Sequence, residues 1–163
     1  MPFAIRPATA ADVPDMQALG QVVWPVTYEH FAGADHVAAN LAAWWTAEAL
    51  TASLAESAAV LVAVDGARVV GLVEVGEYDG DPVMWKLYVH PDRHGEGIGS
   101  ALLAAALAAL PAESAPLRTE YTAGNEPAGR WYAARGFVET SREGTPGVLQ
   151  TVWLQLLGPV PPA

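Results

Sequence analysis

The chain has 163 residues, no cysteine, 52% hydrophobic and 16% charged residues, and a formal charge of −10 from 18 acidic against eight basic side chains. That fits one domain with a buried core; it excludes disulfides, thiolate metal sites and a cysteine nucleophile, and it argues against nucleic acid, whose phosphates need clustered Lys and Arg. The longest apolar run, Ala101–Leu110, falls well short of the ~20 residues of a membrane span, and "MPFAIRPATAADVP" shows no basic segment ahead of an apolar one, so a cytoplasmic protein without a membrane partner is expected.

In chain order, "FAIRPA" (Phe3–Ala8) reads as a short strand. Thr9 can cap a helix with Asp12 in its first turn, and Val13, Met16, Leu19 and Val23 form its apolar stripe. Pro25 is expected to interrupt that helix and Gly33 to end the segment; a second helix is expected from about Asp35 to Glu56. The period then changes. "AVLVAV" (Ala59–Val64), a turn at Asp65-Gly66, "ARVVGLVEVGE", a turn in Tyr78–Pro82 and "VMWKLYVH" (Val83–His90) predict a three-strand antiparallel meander. A glycine turn leads into a helix to Leu110. "LRTEYT" (Leu117–Thr122) is a strand, "NEPAGRWYAARG" (Asn125–Gly136) a short helix, and "FVETS" with "VLQTVWLQL" a closing hairpin. One domain over 1–157 with a flexible tail over 158–163 is expected. The crossover from Val83 to Thr122 makes its two strands parallel inside a mixed α+β sheet, and a ligand belongs at their ends.

The turn "HPDRHGEGIGS" places Gly95, Gly97 and Gly99 directly before a helix. Helix N-termini carry unpaired N–H groups and partial positive charge, and glycines allow the left-handed backbone that gathers such groups around an anion. Arg93 and His94 lie in the same turn. The dinucleotide pattern G-x-G-x-x-G fails at Ser100 and Leu102, and neither a P-loop nor a G-x-S-x-G elbow is present. His90 and His94 are four apart, but Pro91 and Gly95 make the segment a loop, so no metal is expected.

"LYVHPDRHGEGIGSALL" resembles the acetyl-CoA-binding motif of the GNAT superfamily of N-acetyltransferases, in the register His94-Gly95-Glu96-Gly97-Ile98-Gly99. His94 stands where the family carries Arg or Gln. "NEPAGRWYAARGF" is similar to its downstream motif, with Asn125, Ala128, Tyr132, Gly136 and Phe137 in place, and the opening "IRPATAADVPDMQAL" with "WPVTY" is similar to its N-terminal strand, helix and aromatic loop. The resemblance implies the acyl-CoA N-acyltransferase fold: a mixed, mostly antiparallel sheet of about six or seven strands with one splayed parallel pair, flanked by about four helices. It implies that acetyl-CoA is the co-substrate, with its pantetheine along Leu87, Tyr88 and Val89 and its diphosphate on Arg93 and the amides of His94, Gly95, Glu96, Gly97, Ile98, Gly99 and Ser100. Asn125 would contact it, and Tyr132 would be the acid that protonates its sulfur.

Direct transfer also needs the acceptor amine neutral, although a lysine-like amine is neutral in only about one molecule per thousand at pH 7. Glu74, a carboxylate among apolar strand neighbours, is the first candidate base, with Glu120 the rival and His90 third. A backbone N–H at Leu87 or Val89 could polarise the carbonyl. Trp24, Tyr28, Glu29, Trp44 and Trp45 crowd the acceptor side, where Tyr28 and Glu29 are the pocket candidates. The expected function is acetyl transfer to a primary amine of a small molecule. The alternatives are a non-catalytic acyl-CoA-binding sensor and, more distantly, a nucleotide-binding protein. A homodimer through an exposed edge of the final hairpin stays open.

Overall fold

The run Ala59–Val64 has no polar face, and the fold buries both of its sides. Ala59, Leu61 and Ala63 join one apolar cluster, Val60 and Val62 another, because successive strand residues point to opposite faces. The computed structural model describes residues 2–161. Among them the strands are β1 (Ala4–Pro7), β2 (Ala59–Asp65), β3 (Arg68–Tyr78), β4 (Asp81–Val89), β5 (Arg118–Thr122), β6 (Phe137–Glu143) and β7 (Thr151–Leu156). The helices are α1 (Val13–Ala32), α2 (Ala34–Trp44), α3 (Ala47–Glu56), α4 (Ile98–Ala109) and α5 (Glu126–Ala133). One sheet holds the strands in the order β1-β2-β3-β4-β5-β7-β6. Helices α1–α3 cover one face, with Met16, Leu19, Trp45 and Leu50 inside. Helices α4 and α5 cover the other, with Ile98, Leu102, Leu103 and Tyr132 inside.

Among the described strands only β4 and β5 run parallel, and they pair at Val83 with Arg118 and at Met84 with Thr119. Beyond those two rungs the strands leave the ladder, β4 toward the glycine turn and β5 toward α5. This is the expected mixed sheet with a splayed pair, with five helices in place of four.

Several boundaries differ from the sequence reading. Pro25 does not interrupt α1, which continues to Ala32 and stops at Gly33, where φ is +88°. Proline removes the hydrogen bond to the Gln21 carbonyl, but Gln21 is exposed and water can take its place, while buried Trp24 and Tyr28 hold both sides of the break on the sheet. The helix expected over Asp35–Glu56 is two helices. Trp45, 1% exposed, leaves helical geometry and lies on Gly20, where any Cβ would collide with the indole. Thr46 then restarts the chain as α3, its hydroxyl accepting from the Ala49 N–H at 3.1 Å. The first hairpin turns on Gly66-Ala67, with positive φ only at Gly66, as a type II′ turn requires; the second turns on Asp79 (φ +53°) and Gly80 (φ +83°), as type I′ requires. The closing hairpin inserts β7 between β5 and β6, leaving β6 at the edge. Of the expected tail, Val160 packs against the α4/α5 core, and residues 162–163 lie outside those described. Among the described residues no helix is long and apolar enough to cross a membrane.

Candidate active site

The glycine turn is built from conformations that side chains resist. Gly95 and Gly97 sit at φ +83° and +80°, and a Cβ on either would meet nothing within 4 Å. Their role is backbone geometry, and their outer side is open. Gly99 acts differently: its φ is not positive, and a Cβ there would lie 3.3 Å from Trp131, so its bareness lets the indole rest on α4. The first bond within α4 runs from the Ala101 N–H to the Gly97 carbonyl at 3.0 Å. The N–H groups of Ile98, Gly99 and Ser100 precede it and belong to the orphan set at a helix start. His94, expected to lend its N–H to this cradle, donates it instead to the Pro91 carbonyl at 3.2 Å, and its ring Nε2 lies 3.0 Å from the Val89 carbonyl. Arg93 stiffens the turn with bonds to Glu96 and Asp65, each at 2.8 Å. Opposite the turn, Arg135 donates to Ser100 Oγ at 2.9 Å and lies 3.6 Å over the Trp131 ring.

From this turn a cleft of about 760 Å³ runs between the diverging ends of β4 and β5 to α1. Leu87, Tyr88 and Val89 line it from β4, Thr119, Glu120 and Tyr121 from β5, Asn125 and Tyr132 from the α5 segment, and Tyr28 from α1. At the last parallel rung Thr119 Oγ1 donates to the Met84 carbonyl at 2.8 Å. Tyr132 is buried, and burial pushes its phenol pKa up, offset in part by the Thr119 hydroxyl. The phenol therefore keeps its proton at neutral pH. Tyr28 and Tyr88 meet hydroxyl to hydroxyl at 3.0 Å, and burial raises both pKa values. Asn125 caps α5 by accepting from the Ala128 N–H at 3.4 Å. Glu120 is the one carboxylate among the described lining residues, and its pKa is raised first by burial and then by repulsion from Glu143.

Four residues singled out in the sequence stand elsewhere. Glu74 is buried at 6% exposure as anticipated, but it does not line the cleft. Its Oε2 accepts from Lys86 Nζ at 2.5 Å and its Oε1 from Ser57 at 2.8 Å, so both oxygens are engaged. Glu29 is exposed on α1, and Glu96 faces Arg93; neither lines the cleft. His90 accepts from the Asp92 N–H at 3.2 Å and contacts Arg68 at 3.0 Å, also outside the cleft. Among the described residues no three His, Asp or Glu side chains gather into a metal site. The Tyr28–Tyr88 contact and the Trp131–Arg135 stack are additions that no sequence spacing announces.

The profile of the acetyltransferase (GNAT) domain matches residues 56–139, just over half of the chain, from the end of α3 into β6. The chain belongs to the GNAT acetyltransferase family. It is accordingly an acetyl-CoA-dependent N-acyltransferase. The fold agrees across solved GNAT structures. The PaiA N-acetyltransferase of Thermoplasma acidophilum, in complex with coenzyme A, is similar with a TM-score of 0.78 at 18% identity, covering 94% of this chain and 98% of its own. The ribosomal-protein alanine N-acetyltransferase of Escherichia coli gives 0.73 at 18% identity over 99% and 96%. A GNAT protein of Rhodopseudomonas palustris gives 0.76 at 22% identity over 93% and 92%. No curated protein matches the chain in sequence.

Proposed function

We propose that this GNAT protein transfers the acetyl group of acetyl-CoA directly to a primary amine of a small molecule, with Tyr132 as acid and Glu120 as proton acceptor. The observation that carries the reading is the opening beyond Met84 and Thr119, which has Tyr132 on its α4/α5 side and Glu120 on its α1 side. The open-sided Gly95–Gly97 turn and the first-turn amides of α4 fit a diphosphate, and the edge of β4 at Leu87–Val89, which no strand pairs on the β5 side, fits an amide-bearing arm added like a strand once the His94 ring yields the Val89 carbonyl. Asn125, Trp131 and Arg135 border the same half of the cleft. Bound there, acetyl-CoA supplies a thioester carbonyl and a thiolate leaving group. A Leu87 or Val89 N–H polarises the carbonyl oxygen. Glu120 takes the proton that the amine loses as the C–N bond forms, and Tyr132 donates its proton toward sulfur as the C–S bond breaks. Tyr28 and Tyr88 border the acceptor. The cysteine-free composition fits the cytoplasmic setting we also propose.

The test is thiol release from acetyl-CoA across small monoamines, polyamines and an alanine-ended peptide. Small amines should react and Tyr132→Phe should lower kcat about 100-fold, with CoA affinity by calorimetry within about twofold of the parent. Unchanged kcat removes Tyr132 from the reaction. Turnover of the peptide alone replaces the small acceptor with a protein, and tight CoA binding without release to any amine makes the protein an acyl-CoA sensor.

A further inference from the structure

The acceptor half of the cleft carries an aromatic wall that the transfer chemistry does not use. The β3–β4 register passes from Glu74 opposite Lys86 to Val75 opposite Met84, which leaves Trp85 without a partner. Such a bulge re-aims a side chain. Here it lays the indole over Gly76, where a Cβ would come within 2.9 Å of Trp85 Cδ1 and Nε1. Trp85 meets Tyr78 and Trp153 nearly edge-on at 6.2 and 6.0 Å, and those two rings stack at 6.0 Å with 19° between planes. Arg118 lies 4.7 Å over Trp153 and within 3.6 Å of Asp81, so the guanidinium takes up the Trp153 face and leaves Trp85 as the wall turned to the cleft. Glu120 stands opposite Trp153 in the β5–β7 ladder, next to this wall.

Charge narrows the choice further. The two arginines among the described lining residues, Arg93 and Arg135, belong to the glycine-turn end. Glu120 is the only acidic lining residue described. An acceptor with several ammonium groups would find one counter-charge; an anionic acceptor would meet that carboxylate with no lysine or arginine on that side, the two described lining histidines being His94 in the glycine turn and His30 on α1. One cation and one flat apolar body match one carboxylate and one indole face.

We propose that the acceptor is a monoamine whose primary amine is joined by a short chain to an aromatic ring, the ring seated on Trp85 and the nitrogen beside Glu120. The proposal rests on the acetyl-transfer reading and names its substrate class. Trp85 is then a specificity-determining residue.

The experiment compares kcat/KM for 2-phenylethylamine, n-hexylamine and spermidine. The aromatic amine should lead both others by about tenfold, the worth of one ring pair. Trp85→Ala should collapse that ratio toward one, and Trp85→Phe should restore part of it, with thermal melts showing both variants folded and calorimetry showing CoA affinity retained. Equal use of hexylamine or spermidine by the parent, or an undiminished ratio in Trp85→Ala, overturns the proposal. Should none of the three amines be acetylated, the small-amine transfer reading fails; the same ratios are then read from binding of the amines to the CoA-loaded protein by tryptophan fluorescence, and equal affinities overturn the aromatic assignment separately.

Discussion

Gly97→Ala separates the two things a glycine can do in an anion cradle. At φ +80° and ψ 4° the residue caps α4 in the left-handed region, and an added Cβ meets no protein atom within 4 Å. The cost to folding is therefore conformational alone, about 1–2 kcal/mol. For a chain of this length that is a fall in Tm of roughly 2–8 °C. Gly80→Ala is the matched control: φ is +83°, a Cβ again meets nothing within 4 Å, and the site is the β3–β4 turn, away from the cleft. Both variants should melt lower by similar amounts. They should differ in coenzyme binding. Displacing one charge-assisted N–H contact costs about 1.5–3 kcal/mol, so Gly97→Ala should weaken CoA about 10- to 100-fold while Gly80→Ala stays within about twofold. Calorimetry with CoA on the two folded variants reads the difference. Equal dissociation constants would show that the turn does not grip the diphosphate, and the assignment of the cleft would fall with it.

The proposed proton acceptor predicts a pH signature. Glu120 must be ionised to act, and burial with Glu143 raises its pKa, so the acidic limb of kcat/KM should lie above the ordinary carboxylate range; Glu143→Gln should shift that limb to lower pH, and an unmoved limb would refute the coupling. The same shift has a stability sign. A carboxylate whose pKa is higher folded than unfolded favours the folded state at low pH and loses that contribution as pH rises through the folded value, so Glu120→Gln should lower activity yet raise Tm at neutral pH. Glu74 predicts the opposite pattern. Glu74→Gln leaves the buried Lys86 ammonium without its counter-ion and should cost about 3–5 kcal/mol while the acidic limb keeps its position. A stable variant lacking that limb would return the base to Glu74.

What the sequence disclosed follows from what acts locally. The unbroken apolar strand at Ala59–Val64, the stripe Val13-Met16-Leu19-Val23 and the glycine turn are legible because alternation, helical spacing and positive φ are properties of neighbouring residues. The errors come from partners remote in sequence. Pro25 is a breaker by local rule, and only the packing of Trp24 and Tyr28 on the sheet overrides it. Trp45 breaks the α2–α3 stretch because Gly20 offers its indole a seat. Glu74 and Glu120 look alike along the chain, each a carboxylate within a strand. What separates them is that one faces a lysine across the β3–β4 ladder and the other faces the gap. The Trp85 bulge is a matter of register, which no single strand carries.

The splay also accounts for why the proposed acid and base come from different elements. Along β5, Thr119 and Tyr121 turn to the α4/α5 face, while Glu120, between them, turns to the α1 face. Where β4 and β5 are joined, the sheet would wall these faces apart. After Met84 and Thr119 the ladder stops, and side chains from both faces border one space. The proposed direct transfer uses this arrangement, because the amine attacks the thioester carbonyl from one side while a proton is offered to the sulfur as it leaves. In the proposed reaction strand parity assigns Glu120 to the amine and the α5 face assigns Tyr132 to the sulfur. A closed β4–β5 ladder carrying the same residues would hold them on opposite sides of a hydrogen-bonded sheet, unable to serve one carbonyl.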